Sequence, residues 1–103
     1  MTVEELKARI DAGTKPLVLD VREERELNIA AYPFEVVHIP LGSLPQRLDE
    51  LPKAAEIVCA CRSGGRSAQA ARLLAQRGFG RAVSLEGGIL AWSGRIDPSI
   101  PQY

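Results

Sequence analysis

The hydrophobic pattern divides the chain into short apolar runs that alternate with segments of helical periodicity. Four runs of four to six residues are mostly apolar and contain β-branched side chains, as buried parallel strands do: residues 16–21, 34–39, 57–60 and 81–85. Because these predicted strands alternate with predicted helices, the pattern indicates an α/β domain whose parallel sheet is covered by helices on both faces.

Predicted helices precede, separate and follow these strands. The first predicted helix follows a capping box formed by Thr2 and Glu5 and ends at Gly13. The others are residues 22–31, a short helix capped by Ser43, residues 67–77, and a short helix after Gly87 and Gly88 that carries Trp92, a predicted core residue. The residues from Asp97 onward contain two prolines and are predicted to be extended.

Composition and charge narrow the range of functions. A length of 103 residues, of which 46% are hydrophobic and 25% charged, suits a single domain spanning residues 1–103. Thirteen basic and thirteen acidic side chains cancel, so the net charge gives no reason to expect nucleic acid or an anionic membrane as a partner. No apolar run approaches the ~18 residues of a membrane span, and the first residues lack the apolar core of a signal peptide. We therefore expect a cytoplasmic location and no membrane partner.

The two cysteines are too few for a disulfide framework, and no further cysteine or histidine accompanies them at metal-ligand spacing. Cys59 falls inside the predicted strand 57–60, where it is expected to be a small buried hydrophobe. With one histidine in the chain, we expect no metal site and no cofactor.

Cys61 lies where the predicted strand 57–60 meets a short loop that leads into the helix 67–77. The segment 61–67 reads Cys-Arg-Ser-Gly-Gly-Arg-Ser, and its glycines permit a sharp turn. The following helix N-terminus carries about half a positive charge and unpaired N–H groups, and Arg62 and Arg66 add full charges. Each of these features lowers the pKa of a thiol, so the pattern predicts a nucleophilic thiolate. The alternative is a cysteine that is simply buried at a strand end.

The segment 61–67 resembles the active-site loop of the rhodanese-like sulfurtransferases. Other segments that resemble the family occur in the same order: Leu19-Asp20-Val21-Arg22, His38-Ile39-Pro40, Gly78-Phe79, Leu85-Glu86-Gly87-Gly88 with Trp92, and the tail 97–103. One departure is visible, because residues 37–42 read Val-His-Ile-Pro-Leu-Gly where the family usually has Gly-His-Ile-Pro-Gly-Ala. The resemblance implies a rhodanese-like α/β fold with a parallel sheet of about five strands and helices on both faces.

The resemblance also implies a function. The chain would move a sulfane sulfur from thiosulfate or a persulfide donor, through a persulfide on Cys61, to a thiophilic acceptor. The expected partners are a small sulfur donor such as thiosulfate and a protein that donates or accepts a persulfide. Backbone N–H groups of the loop would cradle the persulfide, with the cradle formed by Arg62, Ser63, Gly64, Gly65, Arg66 and Ser67. The two arginines would attract an anionic donor; the alternatives are solvent exposure or, for Arg66, a structural salt bridge.

Three other functions remain open. A cysteine-dependent phosphatase has a similar loop, but with five residues between the cysteine and the arginine, whereas four separate Cys61 from Arg66. An arsenate reductase, built on related loops, is a second alternative. A non-catalytic rhodanese-like sulfur-carrier or interaction module is the third, although such modules typically lack the loop cysteine.

Three further residues lie at or near the predicted strand ends and are expected to support the site. Ligand sites of parallel sheets lie beyond the carboxyl ends of the strands, which brings Asp20, Arg22 and His38 to the same edge as Cys61. We expect Asp20 to cap loop N–H groups rather than act as a base, and His38 to anchor a loop. Arg22 is expected to pair with a nearby acid such as Glu26.

Overall fold

The computed structural model describes residues 1–103 and contains four α-helices, four strands and two 3₁₀ segments. The helices are α1 (Val3–Asp11), α2 (Glu24–Ile29), α3 (Gly65–Gln76) and α4 (Gly88–Arg95). The strands are β1 (Leu17–Asp20), β2 (Val37–His38), β3 (Ile57–Ala60) and β4 (Ala82–Ser84). The 3₁₀ segments, Leu41–Gln46 and Leu48–Glu50, lie between β2 and β3.

The four strands form one parallel sheet in the order β2-β1-β3-β4. The predicted α/β class with a parallel sheet is confirmed, with four strands where about five were expected, and each strand lies within one of the predicted apolar runs. Since β3 is flanked by β1 and β4, its carboxyl end lies at the middle of the sheet edge. The residue that follows this end is Cys61.

Side chains of β3 alternate between two hydrophobic clusters on opposite faces of the sheet. One cluster contains Val58 and Ala60 together with buried residues of α1 and α4, including the predicted core residue Trp92. The other contains Cys59 and Cys61 together with Leu74 of α3. Both cysteines therefore face the α3 side of the sheet. None of the α-helices has the length and hydrophobicity that crossing a membrane requires.

Three local predictions differ from the structure. The helix expected after Ser43 is 3₁₀ rather than α-helical, and it contains Pro45, which has no N–H to donate to a helical hydrogen bond. The helix expected over 22–31 begins at Glu24, because Glu23 has an extended backbone and is the N-cap, with its N–H donating to the Glu26 carboxylate at 2.8 Å. The tail is not simply extended: it turns, with Ile100 N–H donating to the Asp97 carbonyl at 3.2 Å, and buries Ile100.

Gly88 brings the first turn of α4 against the backbone of the cysteine loop. The N–H of Ile89 donates to the Cys61 carbonyl at 3.0 Å, and the N–H of Leu90 donates to the Arg62 carbonyl at 3.1 Å. Gly88 has a φ of 57°, and a Cβ placed on it would lie 2.5 Å from both of these carbonyl oxygens. This contact tolerates no side chain, so α4 and the loop depend on the glycine for their close approach.

We expect Gly88→Ala to lower the free energy of unfolding by about 2–4 kcal/mol, because the loop and α4 must separate to admit the methyl group. Urea denaturation measures the change. Gly80→Ala is the control, since a Cβ at that position meets no atom within 4 Å. Equal stabilities of the two variants would contradict the inferred close packing.

Candidate active site

The cysteine loop is a tight connection between β3 and α3. Cys61 follows the last residue of β3, and α3 begins at Gly65, so residues 61–64 make the whole turn. Gly64, the residue before the first turn of α3, has a φ of 112°, which a side chain would strain. The reversal directs the N-terminus of α3 back over Cys61.

The thiol of Cys61 lies beneath this helix N-terminus and is surrounded by donors. The N–H groups of Gly64 and Ser67 lie 3.1 Å and 3.4 Å from Sγ, and the Ser67 hydroxyl lies 3.5 Å from it. The residue itself is only 1% exposed. The structure thus brings two N–H donors and one hydroxyl, from two residues of the expected cradle, onto the sulfur.

The pKa of the Cys61 thiol reflects a competition between burial and these donors. Burial raises the pKa, but hydrogen bonds from the Ser67 hydroxyl and from the N–H groups of Ser67, Gly64 and Ser63 together outweigh it, so the pKa lies below its ordinary value. In Cys59, burial raises the pKa to about 12, and the neighbouring Cys61 adds to the effect. Of the two cysteines, Cys61 is therefore the one suited to act as a nucleophile.

Ser67 is part of a small hydroxyl network. Its Oγ lies 2.7 Å from Oγ of Ser84, which ends β4, and it is within hydrogen-bond distance of the Gly64 carbonyl at 3.1 Å. A hydroxyl has one proton and two acceptor positions, so a proton donated by Ser84 leaves that of Ser67 free for the sulfur or the carbonyl. Sequence reasoning missed Ser84, because no motif marks a serine in the neighbouring strand.

Two carbonyl groups of the loop accept hydrogen bonds from residues outside it. The buried Tyr32 hydroxyl donates to the Cys61 carbonyl at 2.8 Å, and α4 supplies the N–H contacts described above. Burial raises the pKa of Tyr32, so this hydroxyl keeps its proton. Tyr32 was also missed, since its neighbours in the sequence indicated only the end of a helix.

Asp20 and Arg22 form an ion pair that is almost completely inaccessible to solvent. The Asp20 carboxylate accepts from Arg22 Nη2 at 2.7 Å and from Nε at 3.0 Å, and it also accepts the Arg22 backbone N–H at 3.1 Å. The loop N–H group that Asp20 caps is that of Arg22, just beyond the end of β1. Arg22 pairs with a nearby acid as expected, but that acid is Asp20, two residues away on the extended chain, rather than Glu26.

Glu26 pairs instead with Arg66 in the first turn of α3. The two guanidinium nitrogens donate to the two carboxylate oxygens at 2.6 Å and 2.8 Å. This bidentate contact, with smaller contributions from Glu23 and Tyr103, lowers the pKa of Glu26 to about 2 against the effect of burial. For Arg66, the alternative of a structural salt bridge is thus present in the structure.

The remaining predicted residues have separate positions. Nε2 of His38 lies 2.6 Å from the Arg22 carbonyl, so the histidine joins the ends of β2 and β1, as expected of a loop anchor. The Arg62 side chain is exposed at the rim of the loop, with its guanidinium carbon 5.1 Å from the centre of the Tyr103 ring. Gly65 opens α3 and has open space around it.

We expect Ser67→Ala to slow alkylation of Cys61 by iodoacetamide about three- to tenfold near neutral pH, since the thiolate loses a hydrogen bond contributing ~1 kcal/mol. The midpoint of the rate against pH should move upward, because fewer donors stabilise the charged form. Ser43→Ala, whose hydroxyl lies outside the loop, should keep the wild-type profile. An unchanged midpoint in Ser67→Ala would show that this hydroxyl does not stabilise the thiolate.

Comparison with known proteins shows the family to which the chain is similar. The model of the rhodanese-like domain family matches residues 2–95. The chain is 39% identical to YtwF of Bacillus subtilis over 93 residues, which cover 90% of this chain and 88% of that protein. It is 38% identical over 90 residues to a sulfurtransferase of Allochromatium vinosum, with coverage of 87% and 83%.

A solved structure gives the same result for the fold. The rhodanese-related protein of Thermoplasma volcanium superposes with a TM-score of 0.84 at 30% sequence identity, covering 100% of this chain and 97% of that one. The family match extends over nearly the whole chain and includes the loop that holds Cys61. The chain therefore belongs to the rhodanese-like domain family.

Proposed function

We propose that this chain is a sulfurtransferase that carries a sulfane sulfur on Cys61 as a persulfide. The observation that carries the proposal is the Cys61 thiol, held beneath the N-terminus of α3 by donors from Gly64 and Ser67 and with a pKa below its ordinary value. Relatives named as sulfurtransferases support the general activity.

The proposed reaction has two steps in which no external oxidant or reductant takes part. In the first, the Cys61 thiolate attacks the outer sulfur of thiosulfate; a new S–S bond forms, the S–S bond of thiosulfate breaks, and sulfite leaves with the electron pair. In the second, a nucleophile such as cyanide or a thiolate attacks the outer sulfur of the persulfide. The Cys61–sulfur bond breaks, and the cysteine thiolate returns.

The cysteine loop suits both steps. The donors that lower the pKa of Cys61 favour its ionised form for the first attack and stabilise it as the leaving group in the second. The outer sulfur of the persulfide is also an anion, and we assign its binding to backbone N–H groups of the loop from Arg62 to Ser67. Arg62 at the rim would attract an anionic donor, whereas the charge of Arg66 is balanced by Glu26.

Thiosulfate and cyanide are the assay substrates of this proposal. In the cell, a protein persulfide or a small thiol suits the same chemistry, because each presents a sulfur nucleophile or a transferable sulfane sulfur. The proposed cytoplasmic location is consistent with this chemistry, because thiols remain reduced in that compartment.

Phosphate chemistry is the second candidate, and two observations disfavour it. Only four residues separate Cys61 from Arg66. The arginine therefore comes one position too early in the loop to donate two hydrogen bonds to a phosphate bound above the sulfur. In addition, both guanidinium ends of Arg66 are already bound to Glu26. The same argument disfavours arsenate reduction, since arsenate has the size and charge of phosphate. A non-catalytic module is disfavoured by the ionisable Cys61.

We expect incubation with thiosulfate to add the mass of one sulfur atom to the wild type and none to Cys61→Ser, as measured by intact mass spectrometry. A reducing thiol should remove the added sulfur. Cys59→Ala is the matched control: its side chain is buried and its thiol remains protonated, so the variant should keep the mass shift and most of the activity. Full sulfur transfer by Cys61→Ser would overturn the mechanism.

The loop length gives a further prediction. The wild type should transfer sulfur from thiosulfate to cyanide and should not hydrolyse an aryl phosphate, because the cradle fits a persulfide better than a phosphate. Inserting one glycine between Gly64 and Gly65 should enlarge the cradle and reduce sulfur transfer. Colorimetric assays of thiocyanate and of released phenol measure the two activities. Efficient, Cys61-dependent phosphate hydrolysis by the wild type would disprove the size argument.

A further inference from the structure

We propose that Tyr103 is a positioning residue for sulfur transfer, because its side chain restrains the arginines on both sides of the cysteine loop. The inference rests on the proposed function and deepens it, by naming the residue that prepares the rim for an anionic sulfur donor. Three sets of contacts support it: the anchoring of the tail, the hydrogen bonds of the Tyr103 hydroxyl, and the stacking of its ring.

The tail that carries Tyr103 is firmly attached to α4. The Asp97 N–H donates to the Trp92 carbonyl at 2.9 Å, and the buried Ser93 hydroxyl donates to the Ile100 carbonyl at 2.6 Å. Ile100 itself is 8% exposed and belongs to the core cluster of α1 and α4. Tyr103 is therefore presented to the loop from a fixed base, only three residues beyond this anchor.

The Tyr103 hydroxyl joins two ion pairs. It lies 3.0 Å from Nη1 of Arg22 and 2.9 Å from Oε1 of Glu26. A guanidinium only donates and an ionised carboxylate only accepts, so the hydroxyl accepts from Arg22 and donates to Glu26. The Asp20–Arg22 pair is thereby linked to the Glu26–Arg66 pair, and the position of Arg66 depends on Tyr103 through Glu26.

The Tyr103 ring restrains the second arginine. The Arg62 guanidinium carbon lies 5.1 Å from the ring centre, a distance typical of a cation–π contact. Every other arginine close to the loop is held by a carboxylate, whereas the Arg62 side chain makes no ion pair. Its charge is thus uncompensated, and the aromatic ring limits where this charge can lie.

These contacts predict a charge-dependent effect. Without the Tyr103 side chain, Arg62 samples more rotamers and Glu26 loses one donor, so the positive rim near Cys61 becomes less ordered. A negatively charged reagent approaching the thiolate is then attracted less, whereas a neutral reagent is not affected in this way. A purely structural role for Tyr103 would change both rates together.

The test compares alkylation of Cys61 by iodoacetate, an anion, with alkylation by neutral iodoacetamide. In both reactions the thiolate forms a C–S bond and iodide leaves with the electrons of the C–I bond. We expect the ratio of the two rates to fall about two- to fivefold in Tyr103→Leu. Tyr103→Phe, which keeps the ring but lacks the hydroxyl, should give a smaller decrease. Gln102→Ala, an exposed neighbour in the tail, should match the wild type.

The KM for thiosulfate should rise slightly in Tyr103→Phe and more in Tyr103→Leu. The rate at saturating thiosulfate should change less than the KM. An unchanged iodoacetate-to-iodoacetamide ratio in Tyr103→Leu would overturn the inference. If Tyr103→Leu does not fold, as judged by its melting temperature, Tyr103→Phe decides: a lowered ratio supports the inference and an unchanged ratio overturns it. Because alkylation does not need sulfur transfer, a wild type that forms no persulfide would refute the proposed function and leave this test of Tyr103 valid.

Discussion

The site depends on the hydrogen bonds that stabilise one sulfur atom at the junction of β3 and α3. Cys59 and Cys61 are both buried and lie on the same face of the sheet, two residues apart. Burial raises the pKa of Cys59 to about 12, whereas hydrogen bonds to Gly64 and Ser67 hold that of Cys61 below its ordinary value. The opposite shifts of the two pKa values therefore follow from the position of each thiol relative to a helix N-terminus.

Two carbonyl groups of the cysteine loop are held by donors from outside the loop. Tyr32 and the N–H of Ile89 hold the Cys61 carbonyl, and the N–H of Leu90 holds that of Arg62. A peptide unit is planar, so fixing the Arg62 carbonyl also fixes the N–H of Ser63, one of the groups that lower the pKa of Cys61. The first turn of α4, which requires Gly88, is thus as much a part of the site as the first turn of α3.

Charges around the loop are arranged so that one remains uncompensated. Asp20 balances Arg22 and Glu26 balances Arg66, which is how two ion pairs are accommodated with little exposure to solvent. Arg62, exposed and stacked on Tyr103, keeps a free positive charge at the rim. An anion approaching the site therefore meets a cation whose position the fold restrains.

The sequence by itself determined the four strands, the α/β class, the cysteine loop before α3 and the contrast between Cys59 and Cys61. These features follow from interactions between near neighbours in the chain: hydrophobic periodicity, glycine in a turn, and the unpaired N–H groups of a helix N-terminus. The tertiary structure alone decided which charged groups pair. Arg66 and Glu26 are 40 residues apart in sequence, and Tyr103 and Glu26 are 77 apart. No local pattern encodes such pairs, because each depends on which elements pack side by side once the core has formed.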